Sequence, residues 1–219
     1  MNNYLSIITL NVNGLNAPIK RHRIAEWIRK HDPHICCLQE THLRTKDLHR
    51  MKVKGQKQIF QANGQGKKAG IAILISEKIE FKQRAIKRDP ERHLIILKGR
   101  IHQENINIVN IYAHNIGAPK YIKKILEDFK KDIDSHTIIG GDFNTPLSKM
   151  DTSSKQHLKN DIVSLNKTLE EMDLTYIYIY IQLFIPRIKI HILFKCPWNF
   201  FKDRPHDRTQ SKPQQIQEN

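Results

Sequence analysis

Apolar and polar residues alternate along the chain in blocks that predict strands and helices in turn. Residues 5–12 are apolar and rich in β-branched side chains, which is typical of a buried strand, and the turn signal Asn13-Gly14 follows them. An early proline, Pro18, and apolar residues at helical spacing then predict a helix that continues to about Lys30. Asp32-Pro33 ends this helix, so the chain is free to begin a second strand.

The same alternation continues toward the C-terminus. Short apolar runs predict strands at residues 34–39, 69–76, 92–98, 105–112 and 137–140. Apolar residues at helical spacing predict one helix that begins at Gly117-Ala118-Pro119 and another over about 162–172. Residues 40–57 are polar and basic, and we expect them to form mostly loop. Strands that alternate with helices predict a layered α/β or α+β domain.

The last 44 residues differ in composition from the rest. Residues 176–185 and 188–194 are nearly uncharged and dense in strand-favouring residues, which predicts a packed strand pair or, if unpaired, an aggregation-prone segment. From Cys196 onward the chain is polar and rich in Gln and Lys, which is typical of disorder. We therefore predict a domain over 1–178, a divergent strand-like segment over 179–194 and a disordered basic tail over 195–219.

Composition narrows the class of protein. The 219 residues include 37 Lys or Arg and 22 Asp or Glu, a net charge of +15, and the 39% of hydrophobic residues is enough for a core. No apolar run reaches the roughly 18–20 residues of a membrane-spanning helix, and the first residues lack the basic segment of a signal peptide. Three cysteines are too few for a disulfide framework. We expect an intracellular protein, nuclear or cytoplasmic and not secreted, with no membrane association and no obligate protein partner.

The basic residues are clustered. Residues 42–57 hold six Lys or Arg against Asp47 alone, and Arg44, Lys46 and Arg50 are the candidate DNA contacts among them. Any one cluster is more typical of a solvated face. Taken together, and without a compensating acidic block, the clusters favour attraction to a phosphate backbone. Charge alone does not separate a nuclease from a passive nucleic-acid-binding protein.

Polar residues lie at or directly after the ends of four predicted strands. They are Asn11, Glu40, Tyr112 and the run Asp142-Phe143-Asn144. Side chains two apart in an extended chain share a face, so Asp142 and Asn144 can point into one site. Ligand sites of α/β sheets collect at strand ends. Each residue alone has another interpretation, as a cap, a turn residue or a core aromatic, and it is the ordered set that indicates a site.

The chemistry that fits this set is metal-assisted phosphodiester hydrolysis. Glu40 is an oxygen ligand of the kind that Mg²⁺ prefers, with Mn²⁺ as an alternative ion, and Asn11 could complete the metal's surroundings or contact a phosphate. Asp142 could orient or deprotonate the attacking water, and Asn144 could donate to a phosphoryl oxygen. Tyr112 would bring a phenolic hydroxyl near the scissile group.

Several longer motifs carry a resemblance to a known family. They are Thr9-Leu10-Asn11-Val12-Asn13-Gly14-Leu15-Asn16, Ile19-Lys20-Arg21-His22-Arg23, Cys36-Cys37-Leu38-Gln39-Glu40-Thr41-His42, Gln61-Ala62-Asn63-Gly64, Lys68-Ala69-Gly70-Ile71-Ala72-Ile73-Leu74, Asn110-Ile111-Tyr112-Ala113 and Gly141-Asp142-Phe143-Asn144-Thr145-Pro146-Leu147-Ser148. Up to about Tyr178 the sequence resembles the endonuclease/exonuclease/phosphatase superfamily, and within it the endonuclease domain of mammalian long-interspersed-element retrotransposons.

The resemblance implies a two-sheet α/β sandwich that nicks DNA with Mg²⁺ and is related to exodeoxyribonuclease III and abasic-site endonucleases. It places Asn11 and Glu40 at the metal, Asp142 and Asn144 at the metal and the reacting phosphate, and makes Tyr112 the active-site tyrosine. The catalytic set is then Tyr112, Asp142 and Asn144.

Departures from the family pattern matter as much. After Tyr178 the family's remaining strands, its late Asp-His motif and its final Ser-Asp-His triplet do not align, and His206-Asp207 has the two residue types in reversed order. His114 stands where the retrotransposon pattern has proline. The resemblance therefore predicts an impaired enzyme with an incomplete C-terminus. The alternatives are a catalytically dead basic remnant that binds nucleic acid and a chain that does not fold stably.

Overall fold

The computed structural model describes residues 5–43, 47, 50–62, 70–147, 160–178 and 191–195. Two β-sheets form the centre of the molecule. The first contains β1 (Ile7–Asn11), β2 (Ile35–Gln39), β3 (Gln56–Ala62) and β4 (Ile71–Ser76) in the order β1-β2-β4-β3. β1 and β2 run parallel, and the other pairs are antiparallel.

The second sheet has six strands in the order β5-β6-β7-β8-β10-β9. These are β5 (Phe81–Arg88), β6 (Leu94–Ile101), β7 (Glu104–Tyr112), β8 (Thr137–Asp142), β9 (Thr175–Tyr178) and β10 (His191–Lys195). β7 and β8 run parallel, and every other pair is antiparallel. Each sheet, as described, therefore contains one parallel pair, and these two pairs position the site.

Helices cover the outer faces of both sheets. α1 (Pro18–His31) packs on the first sheet through Ile28, which is fully buried among residues of β1, β2 and β4. α2 (Ala118–Asp128) and α3 (Asn160–Glu171) pack on the second sheet, and a short 3-10 turn, Lys130–Asp132, follows α2. No helix within these ranges is long and apolar enough to cross a membrane.

The main core lies between the two sheets. The inward side chains of β2 and β4, such as Ile35, Cys37 and Ile73, pack against Ile95 and Ile108 of β6 and β7. All eleven residues of β2 and β4 are buried, because one face meets the other sheet and the opposite face meets α1. The layer order helix, sheet, sheet, helix confirms the predicted α/β sandwich.

The prediction missed two strands. β5 reads FKQRAIKR and is mostly exposed, and β3 reads QKQIFQA and is only partly buried. Both lie at sheet edges, where polar and charged side chains are tolerated and the apolar pattern of a buried strand is lost.

The C-terminal predictions are tested in part. β9 and β10 overlap the two predicted strand-like stretches, each with one residue outside, and the backbone of β10 pairs with both β8 and β9. Residues 179–190 and 196–219 lie outside the described residues, so the disordered tail and the division at residues 178 and 194 remain predictions.

Candidate active site

The two parallel strand pairs bring the predicted site residues to one edge of the sandwich. In the first sheet Asn11 is in register with Gln39, so that Glu40 follows at the end of β2. In the second sheet Tyr112 is in register with Asp142. Parallel strands end at the same edge of a sheet, and the two sheets are stacked, so both pairs place their polar ends around one point.

Asn11 joins the two sheets at that point. Its side-chain nitrogen donates to Glu40 Oε1 at 2.7 Å and to Asp142 Oδ2 at 2.8 Å. Its side-chain oxygen accepts from the backbone nitrogen of Asn13 at 2.9 Å. One amide therefore holds a carboxylate from each sheet, although the two carboxylates are 102 residues apart in the sequence.

Tyr112 contacts the same group from the second sheet. It is 8% exposed, and its hydroxyl is hydrogen-bonded to Glu40. Burial, the hydrogen bond to Glu40 and the charges of Glu40 and Asp142 together raise the pKa of this phenol well above its ordinary value. The Tyr112 hydroxyl therefore keeps its proton further into the alkaline range than an ordinary tyrosine, and it donates that proton in the hydrogen bond to Glu40.

The backbone around the site is unusual. Asn13, Glu40, His42 and Asn144 all have left-handed φ angles, of 42°, 53°, 55° and 44°. Asparagine and histidine adopt this conformation more often than most residues, but glutamate rarely does. The chain is held there by backbone hydrogen bonds from Gly14 to the Glu40 carbonyl at 2.6 Å and from Thr41 to the Gly70 carbonyl at 2.8 Å. Such backbone strain is typical of functional sites.

Gly141 allows the two strands of the second sheet to approach at the site. A Cβ atom at this position would lie 2.0 Å from the carbonyl oxygen of Ile111. Because that oxygen belongs to the backbone, a change of side-chain rotamer could not remove the clash. The missing side chain thus allows β8 to place Asp142 next to Tyr112.

Asn144 ties the loop after β8 to the end of β7. Its backbone nitrogen donates to Asp142 Oδ1 at 3.2 Å, and its side-chain nitrogen donates to the Ala113 carbonyl at 2.7 Å. Asn144 is half-buried at the edge of the site, and among the described residues its second amide hydrogen and its side-chain oxygen have no partner, so both are left for a ligand.

Within the described part of the chain, no lysine or arginine balances the negative charges of the two carboxylates. Among the described residues, no lysine or arginine pairs with Glu40 or Asp142, and His42 Nε2 lies 3.7 Å from Glu40 Oε2. Two partly buried carboxylates that share one neutral amide favour a bound cation, because paired negative charge away from water is otherwise costly. Carboxylate oxygens with an adjacent amide are the ligands that Mg²⁺ or Mn²⁺ prefers, so these residues fit a divalent cation.

A second acidic group lies beside Tyr112. Ligand atoms of Asp89, Glu91 and His93 lie within 4.8 Å of one another, and the His93 ring packs edge-on against Tyr112 and His114. Asp89 already accepts from the Leu94 backbone at 2.6 Å, which makes it part of the turn before β6. Burial and the charge of His114 lower the pKa of His93. The group therefore contacts the site through the His93 ring on Tyr112.

Sequence reasoning missed a buried polar network under the site. Gln39 Nε2 donates to Thr9 Oγ1 at 2.9 Å and to Asn110 Oδ1 at 2.6 Å. Asn110 Nδ2 donates to the backbone carbonyls of Leu38 at 3.0 Å and Ala72 at 2.9 Å. Gln39 and Asn110 are at most 1% exposed, so the network connects the sheets inside the core. Their place in the family motifs was the one sequence signal available, because polar residues within apolar runs do not reveal which side chain will face them.

The predicted DNA contacts are only partly described. Arg50 is exposed and pairs with Asp47 Oδ1 at 3.2 Å, whereas Arg44 and Lys46 lie outside the described residues, as does His206-Asp207. A role for these three basic residues in DNA binding remains a prediction.

Comparison with known proteins places this geometry in a family. The Endonuclease/Exonuclease/phosphatase family matches residues 8–215. The chain belongs to this family. The match extends well beyond Tyr178, where the motif resemblance ends.

One curated relative comes from a transposon. The chain is 27% identical over 150 residues to the Transposon TX1 uncharacterized 149 kDa protein of Xenopus laevis. The matched region is 67% of this chain and 12% of that protein, so the chain spans about an eighth of its relative. This similarity agrees with the predicted retrotransposon origin of the sequence.

Solved structures confirm the fold. An AP endonuclease from Archaeoglobus fulgidus has a TM-score of 0.61 at 20% identity, with 87% of this chain and 86% of that chain covered. The endonuclease domain of TRAS1, a telomere-specific non-LTR retrotransposon, has a TM-score of 0.59 at 16% identity, with coverage of 87% and 84%. A 3' phosphatase, NExo from Neisseria, bound to product DNA hairpin, has a TM-score of 0.56 at 18% identity, with coverage of 87% and 86%. At these identities the likeness shows the fold alone.

Proposed function

We propose that this chain is a divalent-metal-dependent DNA endonuclease domain of retrotransposon type that hydrolyses phosphodiester bonds with reduced efficiency. The observation that carries the proposal is the convergence of Glu40 and Asp142 on the single amide of Asn11, with Tyr112 donating from the side. Membership in a family of nucleases and phosphatases and the net charge of +15 support DNA as the substrate.

Glu40 and Asp142 are the proposed carboxylate ligands of the cation, which is Mg²⁺ or alternatively Mn²⁺. Bound there, the cation would polarise a phosphoryl oxygen and offset the negative charge of the reacting phosphate. Asn11 presents its nitrogen to both carboxylates, so its proposed role is to set their spacing, and a half-turn of its amide would instead offer an oxygen ligand.

Asp142 is the proposed group that orients or deprotonates the attacking water. Its Oδ1 accepts from the Asn144 backbone, which fixes the plane of the carboxylate, and its Oδ2 accepts from Asn11. The second amide hydrogen of Asn144 is the proposed donor to a phosphoryl oxygen, since the first donates to the Ala113 carbonyl. Tyr112 keeps its proton and donates toward Glu40 or toward a non-bridging oxygen of the substrate.

The proposed reduction in catalytic efficiency rests on two motifs of the family that do not align with this sequence. The late Asp-His and final Ser-Asp-His motifs of the family do not align after Tyr178. A missing histidine that works in proton transfer lowers a rate by about 10²–10⁴-fold. Positioning and charge stabilisation by the remaining residues still supply part of the acceleration.

A nicking assay tests the proposal. Supercoiled plasmid is incubated with the purified full chain and Mg²⁺, with Mn²⁺, or with EDTA, and conversion to open circles is followed. We expect slow nicking that needs the metal and that Asp142→Ala lowers by about 10³-fold. Asp161→Ala is the matched control, because it removes an exposed carboxylate that pairs with Lys120 on the outer helices. Equal nicking by the wild type and Asp142→Ala, or none by either, would rule out the enzyme.

The second candidate is a catalytically dead remnant that binds nucleic acid through its basic clusters. The net charge of +15 favours this candidate if nicking fails. It predicts DNA binding that weakens steeply with salt and that Asp142→Ala leaves intact. Binding that is indifferent to salt would exclude it.

A further inference from the structure

Two arginine side chains converge on one neutral amide at the end of the second sheet opposite the candidate active site. Arg84 on β5 donates to Asn105 Oδ1 at 3.1 Å, and Arg100 on β6 donates to the same oxygen at 3.2 Å. The three residues lie on adjacent strands, and all three are exposed. Asn105 lies near the start of β7, seven residues before Tyr112, so about 23 Å of extended strand separates this group from the candidate active site.

A β-bulge directs Arg84 to this point. The register of β5 and β6 shifts between Gln83 and Ala85, so Arg84 is the extra residue without a partner on β6. Bulges bend a strand and redirect the side chain of the extra residue. Here the guanidinium group reaches across β6 to Asn105, which lies on β7 and is in register with Arg100. The convergence of the two arginines is therefore built into the backbone of β5.

The two guanidinium groups lack a negative partner in the described part of the chain. No described carboxylate pairs with Arg84 or Arg100, and the neighbouring Glu80 pairs with Lys82 at 3.0 Å. Two like charges that share one neutral oxygen repel each other, and an anion bound between them removes this repulsion. Each guanidinium group has five N–H donors, and Asn105 Oδ1 takes only one from each, so donors remain for a ligand.

Phosphate is the anion that this geometry fits. Guanidinium groups are planar and bind phosphate oxygens through two parallel hydrogen bonds. Positive charge continues along the same two strands, because Lys87 and Lys98 share the one carboxylate of Asp132 and retain a net positive charge. A stripe of basic residues on an open surface is typical of binding to a nucleic-acid backbone, whereas small ligands are usually enclosed in a pocket. The surface therefore favours the phosphate of an extended strand.

We propose that Arg84, Arg100 and Asn105 form a phosphate site for a second nucleic-acid strand, separate from the DNA that occupies the candidate active site. The inference rests on the proposed function for its choice of nucleic acid. The two guanidinium groups hold a phosphodiester group between them, and Asn105 sets their spacing. Because the contacts are made to phosphate, the site binds RNA and DNA strands alike. The protein can then hold a second strand while its active site engages DNA.

A strand-binding assay tests this second site without any cleavage. The full chain in EDTA is first saturated with an excess of unlabelled short duplex. A short labelled single strand, of RNA or of DNA, is then titrated at several salt concentrations and followed by fluorescence anisotropy. We expect the wild type to bind both strands and Arg84→Gln/Arg100→Gln to raise the Kd about tenfold. The slope of log K against log salt should fall by about 1.4, because each phosphate contact to a single strand contributes about 0.7.

Two further variants separate the second site from general charge. Arg29→Gln/Lys30→Gln removes two charges from the exposed end of α1 and should leave the Kd and the slope as in the wild type. Arg84→Lys/Arg100→Lys keeps the charge, so the slope should stay while the Kd rises about three- to tenfold, because lysine lacks the planar fork. Thermal unfolding of both Arg84/Arg100 variants should match the wild type, because these side chains are exposed.

The outcomes distinguish the second site from the proposed enzyme. An unchanged Kd and slope in Arg84→Gln/Arg100→Gln, or an equal change in Arg29→Gln/Lys30→Gln, would overturn the second site. A loss confined to RNA or to DNA would also overturn it, because phosphate is common to both. A chain that never nicks with Mg²⁺ but loses the strand in Arg84→Gln/Arg100→Gln would keep the second site and reject the enzyme. Nicking without any such loss would reject the second site alone.

Discussion

The two sheets contribute different halves of one site. The first sheet supplies Asn11 and Glu40, and its two inner strands are buried along their whole length. The second supplies Tyr112 and Asp142, and it extends outward to the exposed edge strand β5. Backbone hydrogen bonds fix residues within each sheet, but none of the described ladders runs from one sheet to the other.

Side chains therefore set the position of one sheet against the other. Asn11 does so at the site edge by binding Glu40 and Asp142, and Asn110 does so in the core by binding the carbonyls of Leu38 and Ala72. The comparison teaches that a site divided between two sheets depends on a few polar contacts across the core. Substitutions at the site, in the core or within one sheet test this dependence.

The largest effect is expected at the site. Asn11→Ala should lower the nicking rate by about 10³-fold, as Asp142→Ala should, since removal of the shared amide leaves the two carboxylates without a common partner. Initial rates on supercoiled plasmid with Mg²⁺ measure this. Because the three residues act as a unit, the double variant should be hardly slower than either single one. Fully multiplicative losses would show that the sheets contribute independently.

The next effect concerns the core. Asn110→Leu should lower the free energy of unfolding by about 3 kcal/mol, because two carbonyls and the Gln39 amide lose their partner in a buried place. Denaturant unfolding measures it.

Asn107→Leu is the matched control for that change. Asn107 lies on the same strand and is also buried, but it bonds Thr137 within its own sheet, through a long 3.4 Å contact. We expect a cost of about 1 kcal/mol or less. Equal costs for the two variants would show that the contact between sheets has no special weight.

A smaller effect concerns the pH dependence of stability, which differs between the two sheets. Burial raises the pKa of Cys37 in the first sheet to about 12, whereas in the unfolded chain the thiol titrates near 9. Because the pKa is higher in the folded state, the contribution of the neutral Cys37 thiol to the free energy of unfolding is complete below pH 9. This contribution is lost as the pH rises toward 12. The loss should be about 1.4 kcal/mol at pH 10, one unit above the unfolded value.

The slope of stability against pH is the quantity to measure. Cys37→Ala should flatten the fall in the free energy of unfolding between pH 9 and 10, apart from a constant shift due to the smaller side chain. The pKa of Tyr112 in the second sheet is also raised, but an unfolded tyrosine titrates near 10, so its contribution begins to be lost about one unit later. An unchanged slope in Cys37→Ala would contradict the assignment of this pH dependence to Cys37 in the first sheet.

The smallest effect lies on the surface of the second sheet. Asp132 pairs with Lys87 and Lys98, each at 2.8 Å. Asp132→Asn should cost less than about 1 kcal/mol and lose part of that cost at high salt, as expected of partly exposed ion pairs. Thermal unfolding at low and high salt measures it, with the more exposed Glu80→Gln as a reference near zero. A loss as large as that of Asn110→Leu would contradict the ranking.

Much of the fold could be predicted from the sequence. The buried strands β1, β2, β4, β6, β7 and β8 and the three helices follow from apolar periodicity, because burial on one or both faces leaves that pattern in the sequence. β3 and β5 could not be predicted in this way, since edge strands satisfy their backbone with one neighbour and bury little.

The sequence by itself determined the chemistry of the strand ends and the family to which they belong. Asn11, Glu40, Tyr112 and Asp142 could be selected because ligand sites of α/β sheets collect at strand ends and these residues occur there as an ordered set. Their meeting point was decided by tertiary structure, since it depends on which strands run parallel and on how the two sheets are stacked. The network of Gln39 and Asn110 and the raised pKa of Tyr112 were likewise decided there, because burial and contact are properties of the folded chain.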